Sequence, residues 1–283
     1  MKIAVSCEST CDLSKELIQK YDIKVIPYEV VLGTECFKDG ELENQKIFDY
    51  VEKTGNLPKT NALNFVEYTE YFESLLKEYD AVVHVCLSSG ASSSCNNAMN
   101  AAKELNGVFV VDSKSLSTGI GLLVLYAREL AEQGLSASEI AEKLNERREK
   151  VQASFIVERL DFLFKGGRCN SLQRFGANLL KLRPRIVLKD GLMSSDKHYR
   201  GSMPKVMAKY VEEVLNDFPN PDKSKFFITY SSATPEMIES VKQTLAKFGI
   251  TEYYETTAGA TVTSHCGANT MGILYFNDGE SVL

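Results

Sequence analysis

The sequence has 283 residues, of which 44% are hydrophobic and 25% are charged, and its mean hydropathy is −0.17. These values are typical of an ordinary globular protein and argue against a disordered chain. The formal net charge of −6 argues against non-specific nucleic-acid binding, because that binding requires a basic surface. The length allows two α/β domains, which we place at residues 1–152 and 153–283.

The amino terminus and the cysteines bear on location and metal content. The opening MKIAVSCEST has too few consecutive apolar residues for a signal peptide or a membrane span, so we expect a cytoplasmic protein without an integral membrane segment. The cysteines are scattered, and no two pairs have the spacing of a zinc site. We expect them to be reduced, buried and free of metal: Cys7, Cys11, Cys36, Cys86, Cys95, Cys169 and Cys266.

Three times in the first half of the chain, a short apolar run precedes a turn rich in serine and threonine and then a helical pattern. The runs are 2–6, 81–87 and 107–113. This order is typical of a parallel sheet whose strand-to-helix loops lie at one edge. The other predicted elements are helices at 14–21, 45–53, 65–79 and 138–150, helices starting near 96 and after 113, an extended segment at 24–32, a short strand between turns at 33–40 and a loop at 57–61.

The turn at 88–94 is the most informative segment, because it joins a buried strand to a helix with small and hydroxyl residues alone. Free backbone N–H groups and the positive end of a helix dipole at such a turn attract an anion. Serines at a turn also cap helices, since a hydroxyl satisfies an N–H of the first turn. The turn by itself leaves both interpretations open, and other polar groups have to decide between them.

From Ala153 the pattern changes to a strand, a short helix and a Lys-Gly-Gly-Arg turn at 165–168. The two glycines allow a positive φ or the close approach of another segment, and they place Arg168 on a tight turn. A hairpin is predicted around Asp190–Gly191, between 179–188 and 192–194. The remaining predictions are a basic turn at 197–201, helices at 204–216 and 235–248, strands at 226–230, 252–256 and 271–276, and a hydroxyl-rich turn around His265.

No motif for nucleophilic catalysis, phosphate-loop binding or dinucleotide binding is complete. A serine hydrolase or transferase using Ser92 and His265 stays open as an alternative, although the Gly-x-Ser-x-Gly turn is missing. His84 lies inside an apolar strand, which predicts a core histidine. The remaining groups suit a carboxylate or phosphate, and the apolar cores favour an amphiphile with an anionic head. The candidate residues are Thr60, Ser88, Ser89, Ser92, Ser93, Ser264, His265, Arg168 and Arg200.

Several segments resemble the motifs of the DegV family, the fatty-acid-binding subunits of bacterial fatty acid kinase. Residues 8–13, Glu-Ser-Thr-Cys-Asp-Leu, resemble Asp-Ser-x-x-Asp-Leu, with Glu8 in place of the first aspartate. Residues 88–94 resemble Ser-Ser-x-Leu-Ser-Gly-Thr, with Ser93 in place of glycine. Residues 263–267 resemble Gly-Thr-His-x-Gly, with Ala268 and Asn269 in place of the following Pro-Gly. Further matches are Thr60 of a Thr-Ser-x-Pro-Ser segment, 111–113, 165–168 and 200–201, so the resemblance extends over nearly the full length.

The resemblance implies two α/β domains, an N-terminal one with a parallel sheet and a C-terminal one with a mixed sheet, and a ligand at their interface. It implies that Thr60, Ser92, the Ser93 N–H and His265 bind the carboxylate of a long-chain fatty acid, with Ser89 and Ser264 nearby and the tail in the second domain. It also implies that the protein presents this ligand to an ATP-binding kinase subunit near Arg168 and Arg200. No cofactor, no metal and no catalytic residue of its own is expected. A sensor or structural protein that binds another ligand is the remaining alternative.

Overall fold

The computed structural model describes residues 1–169 and 182–279 of the chain. The first part contains β1 (Ile3–Glu8), α1 (Lys15–Lys20), β2 (Lys24–Ile26), β3 (Glu29–Leu32), β4 (Glu35–Lys38), α2 (Asn44–Thr54), β5 (Lys59–Asn61), α3 (Phe65–Leu76), β6 (Ala81–Cys86), α4 (Ser94–Lys103), β7 (Val108–Asp112), α5 (Thr118–Glu132) and α6 (Ala137–Arg147). The second part contains β8 (Val151–Ile156), α7 (Asp161–Lys165), β9 (Arg183–Lys189), β10 (Leu192–Tyr199), α8 (Met203–Asp217), β11 (Pro221–Tyr230), α9 (Pro235–Lys247), β12 (Tyr254–Thr257), α10 (Ala260–Cys266) and β13 (Met271–Asn277).

The first sheet is parallel throughout, with strand order β2-β1-β6-β7. Every residue of β1 and β6 is buried, which explains why both strands read as continuous apolar runs. The strands end at one edge of the sheet, where the segments after β1, β6 and β7 lie side by side. The predicted parallel sheet with polar loops at its carboxyl edge is confirmed.

A small antiparallel sheet with order β4-β3-β5 accompanies the parallel one. The sequence predicts a loop at 57–61, and this prediction is wrong because Lys59–Asn61 pair with β3. The three residues of β5 are polar and half-buried or exposed, so they carry no alternating pattern. The small sheet shares a hydrophobic cluster with α2 and the first residue of α10, including Val30, Ile47 and Ala260.

The second large sheet is mixed, with order β10-β9-β8-β13-β11-β12, and only the β11–β12 pair is parallel. The predicted hairpin around Asp190 is present as β9 and β10, although its residues 179–181 lie outside the described ranges. Two turn predictions are wrong: Lys197–Tyr199 continue β10, and the segment around His265 is the helix α10. Hydroxyl residues favour turns locally, but burial of the Ala260–Cys266 segment between elements stabilises a helix.

Helix α5 lies between the two large sheets and contacts β1 and β6 on one side and β8 and β13 on the other. Its first eight residues are all buried, as expected for a helix that is apolar around its whole circumference. The predicted domain boundary at 152/153 falls inside β8, a strand of the mixed sheet. Within the described ranges, none of the helices combines the length and apolarity that crossing a membrane requires.

Candidate functional site

A cavity lies between the carboxyl edge of the parallel sheet and the mixed sheet. It encloses about 900 Å³ of empty space, counting its open mouth and the solvent there. The lining is mainly apolar, with contributions from Leu87, Leu116, Phe155, Leu163, Met193, Val262 and Leu274. Hydroxyls, one imidazole and one guanidinium interrupt it: Thr10, Tyr28, Thr60, Ser92, Ser117, Thr229, Ser231, Thr261, Thr270, His265 and Arg168.

The serine-rich turn after β6 divides its hydroxyls between structure and cavity. Ser88 Oγ donates to the Gly191 carbonyl at 2.7 Å, and Ser89 Oγ donates to Asp112 at 2.6 Å. Ser92 Oγ faces the cavity, where it accepts from the Ser94 N–H at 3.2 Å. Both interpretations of the turn therefore apply to Ser92, since its hydroxyl satisfies a helix N–H and still lines the cavity.

Thr60 and His265 meet at the cavity wall although they are 205 residues apart. The distance between Thr60 Oγ1 and His265 Nε2 is 2.9 Å. Pairing of Thr60 with Val30 fixes β5, and Val30 shares a hydrophobic cluster with Ala260 at the start of α10. The small sheet and α10 are thus packed together, which places the hydroxyl and the imidazole next to each other.

The Gly-Gly-Arg segment that follows α7 approaches His265 at Gly166. A Cβ on Gly166 would lie 3.0 Å from His265 Nδ1, and Gly167 has a φ of +70°. The exposed Arg168 lines the cavity and donates to the Gly166 carbonyl at 2.5 Å. Burial and the neighbouring Arg168 charge lower the pKa of His265 to about 4. The imidazole is therefore neutral near pH 7 and offers one N–H and one lone pair.

Five of the predicted site residues do not line this cavity, one of them Ser88. Ser89 and Ser93 are exposed, and Ser93 forms no side-chain cap with α4. Ser264 is buried, and its hydroxyl donates to the Ala260 carbonyl inside α10 at 2.7 Å. Arg200 is exposed and follows the end of β10. The roles predicted for these residues stay predictions, as do the roles of Thr60, Ser92, His265 and Arg168.

Several further hydroxyl residues on the cavity wall are absent from the predicted set, among them Tyr28, Thr10 and Thr261. Tyr28 OH donates to Ser92 Oγ at 3.3 Å, and it comes from the segment between β2 and β3. Thr10 and Thr261 are buried, and their Oγ1 atoms have no hydrogen-bond partner within the described part of the chain. Thr261 precedes His265 by four residues, which places both on one face of the helix α10. The sequence predicts a turn for this segment, and in a turn the same spacing does not place two residues on one face.

Two acidic side chains hold the start of α10. Asp12 accepts from the Gly259 N–H at 2.8 Å, and Asp39 accepts from the Ala260 N–H at 2.7 Å. Ser117 Oγ also donates to Asp12 at 2.5 Å. Burial raises the pKa of Asp12 to about 8 against these hydrogen bonds, and the Asp39 charge adds to the increase. The helix that carries His265 is thereby fixed to the first half of the chain.

The hydrogen bonds at this wall do not form a nucleophile and base pair. His265 Nε2 is bonded to Thr60, whereas Ser92 Oγ is bonded to Tyr28 and the Ser94 N–H. A serine hydrolase requires the base on the nucleophile itself, with a third group orienting the base. What the arrangement offers is a set of neutral donors and one arginine at the polar end of an apolar cavity, which suits the head of an amphiphilic anion.

The chain is similar to known proteins over nearly its whole length. A family model for uncharacterised proteins of the DegV family matches residues 2–278. The fatty acid-binding protein of Thermotoga maritima is 29% identical over 279 residues, which cover 96% of each chain. A solved structure described as fatty acid binding of a DegV family protein from Thermus thermophilus has a TM-score of 0.87 and 29% identity, covering 98% of this chain and 99% of that one. DegV of Bacillus subtilis, described as a fatty acid binding protein, has a TM-score of 0.84 at 28% identity, covering 98% and 99%. This chain belongs to the DegV family.

Proposed function

We propose that this protein binds a long-chain fatty acid in the cavity between its two large sheets. The carboxylate lies at the polar end formed by Thr60, Ser92 and His265, and the hydrocarbon tail lies along the apolar wall. The observation that carries this proposal is the contact between Thr60 Oγ1 and His265 Nε2 at the edge of an otherwise apolar cavity. The described fatty-acid binding of the Thermotoga and Thermus relatives supports it.

The free energy of binding comes mainly from the tail, and the head group sets the orientation. Each buried methylene contributes about 0.8 kcal/mol, so a chain of roughly 16 to 18 carbons supplies ample favourable free energy before the cost of immobilisation. The carboxylate gains hydrogen bonds from the Thr60 and Ser92 hydroxyls, and it lies near the Arg168 charge. The proposed binding needs no cofactor.

The direct test is native mass spectrometry of the purified protein, followed by organic extraction and analysis of the extract. We expect one fatty acid per chain, with C14 to C18 acids dominating the extract. Recovery of a different class of small molecule would show that this molecule, and not a fatty acid, is the ligand. An empty protein that hydrolyses ester substrates would instead support the alternative with Ser92 as nucleophile. None of the hydrogen bonds described at the site supports that alternative.

We further propose that the protein presents the bound acid to the ATP-binding subunit of a fatty acid kinase, in the cytoplasm, and does not itself transfer the phosphoryl group. Arg168 lies at the cavity and is exposed, so it is placed to meet both the head group and a partner. Arg200 is the second docking residue that the family resemblance implies.

Acyl phosphate formation by the kinase subunit, measured with wild-type protein and with Arg168→Ala and Arg200→Ala, tests this presentation. We expect both variants to keep the bound acid and to lower the rate of phosphorylation. Arg148→Ala is the control, because its guanidinium bonds to the Asp112 carbonyl outside the cavity. Equal rates for all four proteins would show that neither arginine takes part in docking.

A further inference from the structure

A second polar group of residues lies inside the parallel sheet, away from the cavity. Glu8 ends β1, and His84 and Cys86 lie on the neighbouring β6, where His84 is in register with Ser6. Alternation along a strand places Ser6 and Glu8 on one face, and His84 and Cys86 on the same face of their strand. The side chains of Glu8, His84 and Cys86 are fully buried, and none of them lines the cavity.

The potential ligand atoms of Glu8, His84 and Cys86 lie within 4.8 Å of one another. Within residues 1–169 and 182–279, no other trio of histidine, cysteine or acidic side chains is as close. His84 Nε2 lies 3.9 Å from Glu8 Oε1, which is too far for a hydrogen bond. This buried nitrogen has no hydrogen-bond partner in the part of the chain that the structure describes. The His84 Nε2 atom is therefore unpaired and lies beside the Glu8 carboxylate, in a group that also contains Cys86.

Neighbouring residues form hydrogen bonds to His84 and Glu8, as the residues around the ligands do at metal centres. Ser6 Oγ lies 2.5 Å from His84 Nδ1, which leaves Nε2 as the inward nitrogen. Tyr68 OH donates to one oxygen of Glu8 at 2.6 Å, and the Leu87 N–H donates to the other at 2.7 Å. Partners of this kind orient ligating imidazoles and carboxylates and raise their affinity for metal.

The charges of the three groups also match a divalent cation. A carboxylate and a thiolate carry two negative charges together, and a neutral imidazole adds none. A dication bound to them gives a neutral site, which a fully buried position requires because an uncompensated charge there is strongly disfavoured. Oxygen, nitrogen and sulfur ligands in one site are typical of zinc.

We propose that Glu8, His84 and Cys86 bind a zinc ion inside the parallel sheet. Binding requires the ligand atoms of Glu8, His84 and Cys86 to approach one another to roughly 3.4 Å, the separation that zinc bond lengths impose in a tetrahedral site. The Cys86 thiol loses its proton to solvent as the zinc–sulfur bond forms, so the affinity rises with pH. This proposed site differs from our expectation that the chain binds no metal. The sequence does not reveal it, because its ligands come from two strands far apart in the chain and have no short spacing.

The test uses the full-length protein after removal of metal by a chelator and dialysis. Zinc content is measured after re-addition of zinc, and cobalt is titrated as a spectroscopic substitute. We expect one metal per chain and a thiolate-to-cobalt charge-transfer band. Cys86→Ala is expected to abolish the band. Cys7→Ala is the matched control, since Cys7 is equally buried on the neighbouring strand but points to the opposite face. Cys36→Ser in all proteins removes the exposed thiol.

Two results would overturn the zinc site: a wild-type protein that binds well under a tenth of an equivalent, or a band that persists in Cys86→Ala. Should Cys86→Ala fail to fold, X-ray absorption of the zinc-loaded wild-type protein decides, because the site requires one sulfur ligand and a spectrum without sulfur contradicts it. Glu8→Asp, which restores the residue of the family motif, is expected to weaken zinc binding at least tenfold because the carboxylate is one methylene shorter. Fatty-acid content is measured in parallel, because none of the three proposed ligands lines the cavity.

Discussion

The polar end and the apolar wall of the cavity are built in different ways. At the polar end, Thr60 and Ser92 from the first half of the chain meet His265 and Arg168 from the second half. Most apolar side chains of the wall come from the second half, such as Phe155, Met193 and Leu274 on strands of the mixed sheet, whereas Leu87 and Leu116 come from the first half.

This difference has consequences for how each region tolerates change. Hydrogen bonds at the polar end depend on distance and direction, so the loss of one group leaves a charged ligand atom without a partner. Contacts with the apolar wall are numerous and individually weak, so the loss of one is shared among its neighbours. We therefore expect single substitutions at the polar end to have the larger effects on ligand affinity.

The largest effect is expected for His265→Ala. A hydrogen bond to a charged group is worth about 1.5–3 kcal/mol, which corresponds to a loss of fatty-acid affinity of roughly 10- to 100-fold. Displacement of a fluorescent fatty acid measures the affinity. His198→Ala is the control, since His198 lies on β10 away from the cavity. Equal affinities for His265→Ala and wild type would remove the imidazole from the head-group site.

The Asp12 carboxyl provides the next test, because it fixes the helix that supplies the imidazole to the polar end. Its pKa is raised to about 8 by burial, so the folded protein holds a proton that the unfolded chain, with an ordinary aspartate, has released. The free energy of unfolding should therefore fall as pH rises toward 8, by up to about 2 kcal/mol between pH 6.5 and 8.

Urea unfolding of wild type and Asp12→Asn across this range measures the slope. The lowered pKa of His265 acts with the opposite sign, since folding is weakened as pH falls from 6.5 toward 4, and its contribution is small above pH 6.5. We expect a shallower slope in Asp12→Asn. Parallel curves for the two proteins would contradict a buried, protonated Asp12.

The apolar wall is tested by Met193→Ala. Removal of part of its contact with the tail is expected to cost about 1 kcal/mol, or roughly a fivefold loss of affinity for a long acid, with a smaller loss for a short one. Met99→Ala, a half-buried methionine of α4 outside the cavity, is the matched control. A loss of affinity as large as that of His265→Ala would contradict our expectation that the polar end is more sensitive to substitution than the apolar wall.

The smallest effect is expected for Ser93→Gly, which restores the residue of the family motif next to Ser92. Ser93 has φ −73° and ψ −11°, so its backbone conformation does not require glycine. We expect fatty-acid affinity within about twofold of wild type and a stability lower by a few tenths of a kcal/mol, because glycine is more flexible when unfolded. A tenfold gain in affinity would show that the serine side chain obstructs the ligand.

Elements with strong local patterns were predictable from the sequence. The buried strands β1, β6 and β7 are continuous apolar runs, and α8 and α9 follow patterns of helical spacing. The short polar strand β5 and the hydroxyl-rich helix α10 were not predictable, because their own residues favour loops and turns. Contacts with β3 and α2 decide their conformation, and both elements carry site residues.

The sequence alone predicts the alternation of strands, polar turns and helices, and with it the parallel sheet whose loops share one edge. That much follows from hydrophobic periodicity and turn chemistry, which act between neighbouring residues. Only the tertiary structure brought Thr60 to His265, Tyr28 to Ser92 and Glu8 to His84. These pairs are set by the packing of sheets and helices around buried cores, and contacts between residues far apart in the chain leave no local pattern from which to predict them.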